Sequence, residues 1–146
     1  MYFLTLMKYM AISMIKVLRE FCPFYDEYYD DWEYLIILDA CRYDFFKIFH
    51  KHFLKGRLAK ALSIASNTYE YCVKCLMSKP HPDVVYISAN PYINSKFKIG
   101  RSDTRKLFYR IIDVWLQGWN NDLGTVLPEK MNRITLSIIK KLDLEV

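Results

Sequence analysis

Hydrophobic positions in this chain fall into two kinds of run. The first kind is short and continuous. Tyr34-Leu35-Ile36-Ile37-Leu38 leads directly into Asp39, and Val84-Val85-Tyr86-Ile87-Ser88 stops at Asn90-Pro91. Runs this short and this apolar suit strands buried on both faces, as in a parallel sheet with helices on each side. The residue before a proline is pushed away from helical geometry, which fits a strand ending at Asn90.

The second kind repeats at three- and four-residue steps. Leu4, Met7, Ala11, Met14 and Leu18 predict an amphipathic helix over residues 1–20, with Lys8, Lys16, Arg19 and Glu20 on its other side. Residues 44–51 predict a helix whose inner face carries Phe45, Ile48, Phe49 and His52. Asn67 followed three residues later by Glu70 has the form of a capping box, so a helix should start at Thr68 and end near Ser78, before Pro80 and Pro82. Pro128-Glu129 opens a last helix with the stripe Met131, Ile134, Ile138 and Leu142. Residues 57–63 read as a short strand, and Ile111–Trp115 as a strand or a short helix. Gln117–Thr125 reads as a polar turn region around Gly118 and Gly124.

Strand, helix, short strand, helix, strand is the order of a parallel sheet joined by right-handed crossovers. The expected fold is therefore α/β: three layers, with a mostly parallel sheet flanked by helices. The expected organisation is an amphipathic helix over residues 1–20 and a single domain over residues 21–146. The helix is expected to pack on the sheet, with binding to a membrane surface as the alternative. Lys8 and Lys16 interrupt any run long enough to span a bilayer. Met10 and Met14 are alternative start sites.

Composition narrows the class. A hydrophobic fraction of 53% over 146 residues supports a real core and excludes disorder. Only 4 Gly and 5 Pro argue against an all-β fold with many tight turns. The net charge of +5 is compatible with an anionic partner. It is concentrated in residues 96–110, where Lys96, Lys98, Arg101, Arg105, Lys106 and Arg110 face only Asp103. A solvated loop is the expected role of that segment; nucleic acid is not an expected partner, because few aromatic residues alternate with the charges. No secretory signal is evident, and a chain of this size does not depend on disulfides. A cytoplasmic protein with reduced thiols is the expectation. Cys72 and Cys75 form a CxxC within a predicted helix, which favours core packing over redox or zinc chemistry.

Candidate chemistry gathers where strands end. Asp39 closes the first buried strand, and in open α/β sheets ligands bind outside the carboxyl ends of strands. A carboxylate is a hard-metal ligand, although an Asp after a strand can also simply begin a turn. Thr68 opens a helix, where backbone N–H groups favour an alkoxide or a phosphate. A divalent metal on Asp39 would help make that hydroxyl a nucleophile. Asn90 closes the next buried strand and offers an amide donor to a developing oxyanion.

The segment Tyr34–Phe46, "YLIILDACRYDFF", resembles the first motif of the alkaline phosphatase and sulfatase-like superfamily. The resemblance extends over roughly residues 33–129. It implies that Asp39 binds a catalytic metal (Zn, Mn, Mg or Ca) and that Thr68, in "SIASNTYEY", is the nucleophile, with Ser66 the second candidate. Asn90, in "VVYISANPYI", stands at the separation at which Thr-nucleophile members place a ligand for a phosphate oxygen. Arg42 and Asp44 belong to the same motif, Asp44 as a candidate helix cap. The formylglycine pattern of sulfatases is absent around Thr68.

The resemblance implies an alkaline phosphatase-like fold, truncated to its N-terminal half, acting on a phosphate or sulfate ester. Superfamily enzymes complete two metal sites with Asp and His residues from a distal half. Here the only histidines are His50, His52 and His81, and none stands in an Asp-x-x-x-His or Asp-His pairing. Two readings follow. One is a metal-dependent ester hydrolase relative, incomplete and weakly active or inactive alone. The other is a non-catalytic α/β module that binds an anion or a partner. An incomplete sheet would leave an edge and an apolar face uncovered, so self-association or a partner protein is expected.

Overall fold

A computed structural model describes residues 4–9, 33–56, 58, 63 and 65–142. Its elements are β1 (Leu4–Tyr9), β2 (Glu33–Leu38), α1 (Tyr43–Phe53), α2 (Thr68–Lys74), β3 (His81–Ser88), β4 (Phe108–Asp113), α3 (Val114–Gly118), β5 (Trp119–Asn120), β6 (Thr125–Val126) and α4 (Pro128–Leu142). A turn of 3-10 helix, Leu76–Ser78, follows α2. The chain is α/β in character, as expected.

Its strands pair differently from the expectation of a mostly parallel sheet. β3 and β4 are parallel, with Ser88 opposite Asp113, but β1 and β2 are antiparallel, with Thr5 opposite Ile37. β5 and β6 form a short antiparallel ribbon. β1 also runs close beside β3, so the spatial sequence is β2, β1, β3, β4, with ladder hydrogen bonds within each pair.

Two side-chain clusters occupy opposite faces of these strands, because successive residues of a strand point to opposite sides. On one face Leu35 and Ile37 of β2 and Val84 and Tyr86 of β3 pack with Cys72, Cys75, Leu76, Ile93 and Phe108. On the other, Tyr34 and Ile87 pack with Ala89, Val114, Val126 and Met131. Tyr86 is fully buried, with its ring 4.7 Å from that of Phe108. Truncating a buried aromatic of this kind typically costs about 3–5 kcal/mol. Both cysteines of the CxxC are fully buried in the first cluster, the core role expected of them.

Several expectations need correction. Residues 4–9 form a strand rather than the start of a helix; the rest of the predicted helix, residues 10–20, lies outside the described residues. Most of the predicted strand 57–63 also lies outside them, and residues 58 and 63 carry no regular structure. α1 is a helix, but Phe45, Ile48 and Phe49 are exposed rather than inward-facing. Periodicity tells which residues share a face, not where that face is turned. His81, expected in a loop, begins β3 and stacks on Phe108 at 5.4 Å. Asp44 lies inside the first turn of α1 and pairs with Arg42 at 2.6 Å instead of capping the helix.

The basic segment is more tightly held than a solvated loop. Asn94 Oδ1 accepts from the Lys96 and Phe97 N–H groups at 2.8 and 2.7 Å. Thr104, fully buried, accepts from Asn94 N–H and donates to Asn94 O. The region Ile111–Trp115 resolves into both options: β4 ends at Asp113 and α3 starts at Val114. α4 follows its predicted span, with Met131 buried and Ile134 and Ile138 against the second cluster.

Candidate functional site

Three side chains from separate segments meet at one end of the strands. Asp39 follows β2 directly. Ala40 then takes φ +55°, a left-handed conformation that a non-glycine residue adopts at some cost, and the chain turns sharply toward α1. Thr68 is the first residue of α2. That start is fixed by Asn67, whose side chain accepts from the Glu70 N–H at 2.9 Å. Glu70 reaches back to the Ser66 N–H at 2.7 Å and the Ser66 hydroxyl at 2.9 Å, and it also pairs with Lys74. The predicted capping box is thus present, with its return bond one residue earlier than the motif requires.

The Thr68 hydroxyl donates to Asp39 Oδ2 at 2.8 Å, across 29 residues of sequence. Asn90 Nδ2 approaches the same oxygen at 3.4 Å, a long hydrogen bond. Asp39 and Thr68 are half-buried, and Asn90 is buried. Ser66, the second nucleophile candidate, is exposed and its hydroxyl is spent on Glu70, so it has no part in this group.

The orientation of Asn90 is set by its own turn. Its Oδ1 accepts from the Tyr92 N–H at 2.9 Å. Its backbone is clasped by the buried Ser88 hydroxyl, which accepts from Asn90 N–H at 3.1 Å and donates to Asn90 O at 2.8 Å. With Oδ1 occupied, the amide presents Nδ2 to Asp39. Asn90 is therefore oriented as a donor toward Asp39.

A second carboxylate at the same edge escaped the sequence reading. Asp113 ends β4 opposite Ser88. It accepts from Ser95 N–H at 3.1 Å, Ser95 Oγ at 2.6 Å and Trp115 Nε1 at 3.3 Å. These bonds anchor the loop after Asn90 and use the acceptor capacity of Asp113 locally. The signal was available: Ile111-Ile112-Asp113 repeats the pattern of Ile37-Leu38-Asp39, apolar residues running into a carboxylate.

Cys72 lies one turn after Thr68. Burial, reinforced by the Asp39 charge, pushes its thiol up to about 12, away from the reactive thiolate form. Cys41, beside the Ala40 turn, is also raised, by burial. The His50 ring stacks on Phe46 at 5.9 Å within α1, and its Nδ1 lies 3.1 Å from Lys47 O.

As a metal site, the group offers the Asp39 carboxylate and the Thr68 hydroxyl. Among the described residues no cluster of three or more His, Cys, Asp or Glu side chains could hold a metal ion. On the far flank of α2, an open cleft of about 460 Å³ is lined by Tyr69, Glu70, Val73, Lys74 and Arg101. It is braced where the Tyr69 hydroxyl accepts from the Arg101 N–H at 2.9 Å. No helix among the described residues is long and apolar enough to cross a membrane. No protein-family model, no curated protein and no solved structure matches the chain.

Proposed function

We propose that the chain is a relative of the alkaline phosphatase and sulfatase-like ester hydrolases, built on the N-terminal part of that three-layer fold. Its site acts on, or binds, a phosphate or sulfate ester. The observation that supports this reading is the convergence of Thr68 and Asn90 on one oxygen of Asp39. In this reading Thr68 is the nucleophile. Asp39 orients its hydroxyl and lies within reach of the proton that the hydroxyl must lose. Asn90 Nδ2 donates to a non-bridging oxygen of the ester, where negative charge grows in the transition state.

A divalent metal would bind at Asp39 and Thr68 and supply Lewis-acid polarisation of the ester. The described residues contribute two oxygen donors to it and leave the remaining positions to water, to the ester or to a partner chain. That short donor set also favours a second reading, in which the site binds an oxyanion without turning it over. Either reading expects weak or absent activity of the isolated chain, and self-association or a partner protein belongs to both.

The test is hydrolysis of chromogenic aryl phosphate and sulfate esters with Mn²⁺ or Zn²⁺, alongside calorimetric binding of metal and of phosphate. Turnover lost in both Asp39→Ala and Thr68→Ala supports the hydrolase. Phosphate binding lost in Asn90→Ala without turnover supports the second reading. No binding of metal or phosphate by the wild-type chain overturns both.

A further inference from the structure

We propose that α1 is a docking helix for an anionic lipid surface. The argument is independent of the ester-hydrolase reading. α1 is strongly two-sided, yet it is mounted with its apolar side outward. Tyr43, Phe46 and His50, at three- and four-residue steps, are half-buried and share one side of the helix. Phe45, Ile48 and Phe49 share another side, at 57%, 63% and 55% exposure, together with the exposed His52. Among the described residues, no α1 side chain belongs to either core cluster. Large apolar side chains gathered on one exposed stripe mark a binding surface.

The charge around the stripe selects the partner. Lys47 and Lys51 lie together on one flank of the helix, Arg42 and Lys55 stand at its two ends, and the one carboxylate among them, Asp44, is already paired with Arg42. The Arg42 guanidinium also lies 5.2 Å from the centre of the Phe45 ring, at the edge of the stripe. A second copy joined through this helix would bring two sets of like charges together. One stripe on an 11-residue helix also falls short of the roughly 800 Å² per partner that a stable dimer buries. An anionic bilayer meets both features: aromatics enter the headgroup boundary, and lysines face the lipid phosphates. At 11 residues the helix is too short to span a bilayer and fits one lying in the surface.

Flotation of the full chain with lipid vesicles tests this. Binding is expected to vesicles containing about one-third phosphatidylglycerol and to be weak on pure phosphatidylcholine. Phe45→Ser with Phe49→Ser should abolish it. Because those side chains are exposed, the double variant should keep its circular dichroism and its thermal midpoint. Lys47→Gln with Lys51→Gln should weaken partitioning by roughly fivefold per lysine, about thirtyfold together. A second measurement needs no variant: hydrogen exchange of the wild-type chain with and without anionic vesicles should show new protection confined to residues 43–54. Binding equal on neutral vesicles, protection elsewhere, or no binding overturns the proposal. So does sedimentation that shows α1-dependent dimers without vesicle association.

Discussion

Thr68 donates its hydroxyl proton to Asp39 Oδ2 at 2.8 Å, although 29 residues separate them in sequence. The bond ties the end of β2 to the start of α2. Thr68→Val keeps the shape and removes the donor. It should cost about 1.5 kcal/mol, the low end for a hydrogen bond to a charged group, because both side chains are only half-buried. Combined with Asp39→Asn in a double-mutant cycle, the two losses should be less than additive. Urea unfolding of the four proteins measures this, and strict additivity would show that the bond contributes nothing.

Acid should weaken the start of α2. The Lys74 side chain, then the Ser66 backbone and hydroxyl, hold the Glu70 carboxyl down at about 2, against an ordinary value of 4.5. A carboxyl depressed by folding stabilises the native state fully above its unfolded value. That stabilisation is lost as pH falls through the folded value. The window is therefore pH 4.5 down to about 2. Asp103, held at about 2 by Arg105, titrates in the same range. Glu70 must therefore be read individually, from its carboxyl carbon by NMR, and Glu70→Gln should flatten the pH dependence of unfolding in that window. A midpoint near 4.5 would refute the assignment.

Gly100 has φ +56°, and a Cβ placed there would lie 2.7 Å from the Tyr69 hydroxyl oxygen. Gly100→Ala should therefore destabilise by more than the roughly 1–2 kcal/mol of left-handed strain alone. Tyr69→Phe removes the oxygen in the way, so the alanine should cost less in that background. Thermal unfolding of the single and double variants decides it. Equal cost in both backgrounds would mean that Tyr69 does not press on this turn.

The two core thiols should resist modification in the folded protein. Cys72 is fully buried and its thiol is pushed up to about 12, so at pH 8 it should resist iodoacetamide until the protein unfolds. Cys75, equally buried, should behave alike. Peptide mapping by mass spectrometry after a timed reaction measures the labelling of each. Labelling of Cys72 in the folded protein at the rate of an exposed thiol would contradict the described core.

The elements that sequence reading placed well are those whose local signals agree. α2 combines an Asn67 cap with a Glu70 return, β3 contains the continuous apolar run Val84–Ile87, and α4 opens at Pro128. Leu4–Tyr9 was misread because Leu4 and Met7 satisfy a helical step while Leu4 and Leu6 satisfy alternation, and six residues are too few to separate the two. The site residues were readable as strand ends and a helix start. Their meeting on one Asp39 oxygen was not, since it depends on pairing between distant segments. The orientation of Asn90 was hidden for a different reason. It follows from Tyr92 N–H occupying Oδ1, a local turn that composition does not announce.

β3 is buried on both faces from Val84 through Ser88, whereas every described side chain of β2 is half-buried or exposed. The three site residues thus hang from walls of unequal stiffness. Asn90 is fixed to the most deeply packed strand, and Asp39 rides on the shallower one. Breathing of the β1–β2 pair would carry the carboxylate away while the amide stayed in place and the core stayed folded. On warming, the assembled site would then come apart at a lower temperature than the protein that carries it.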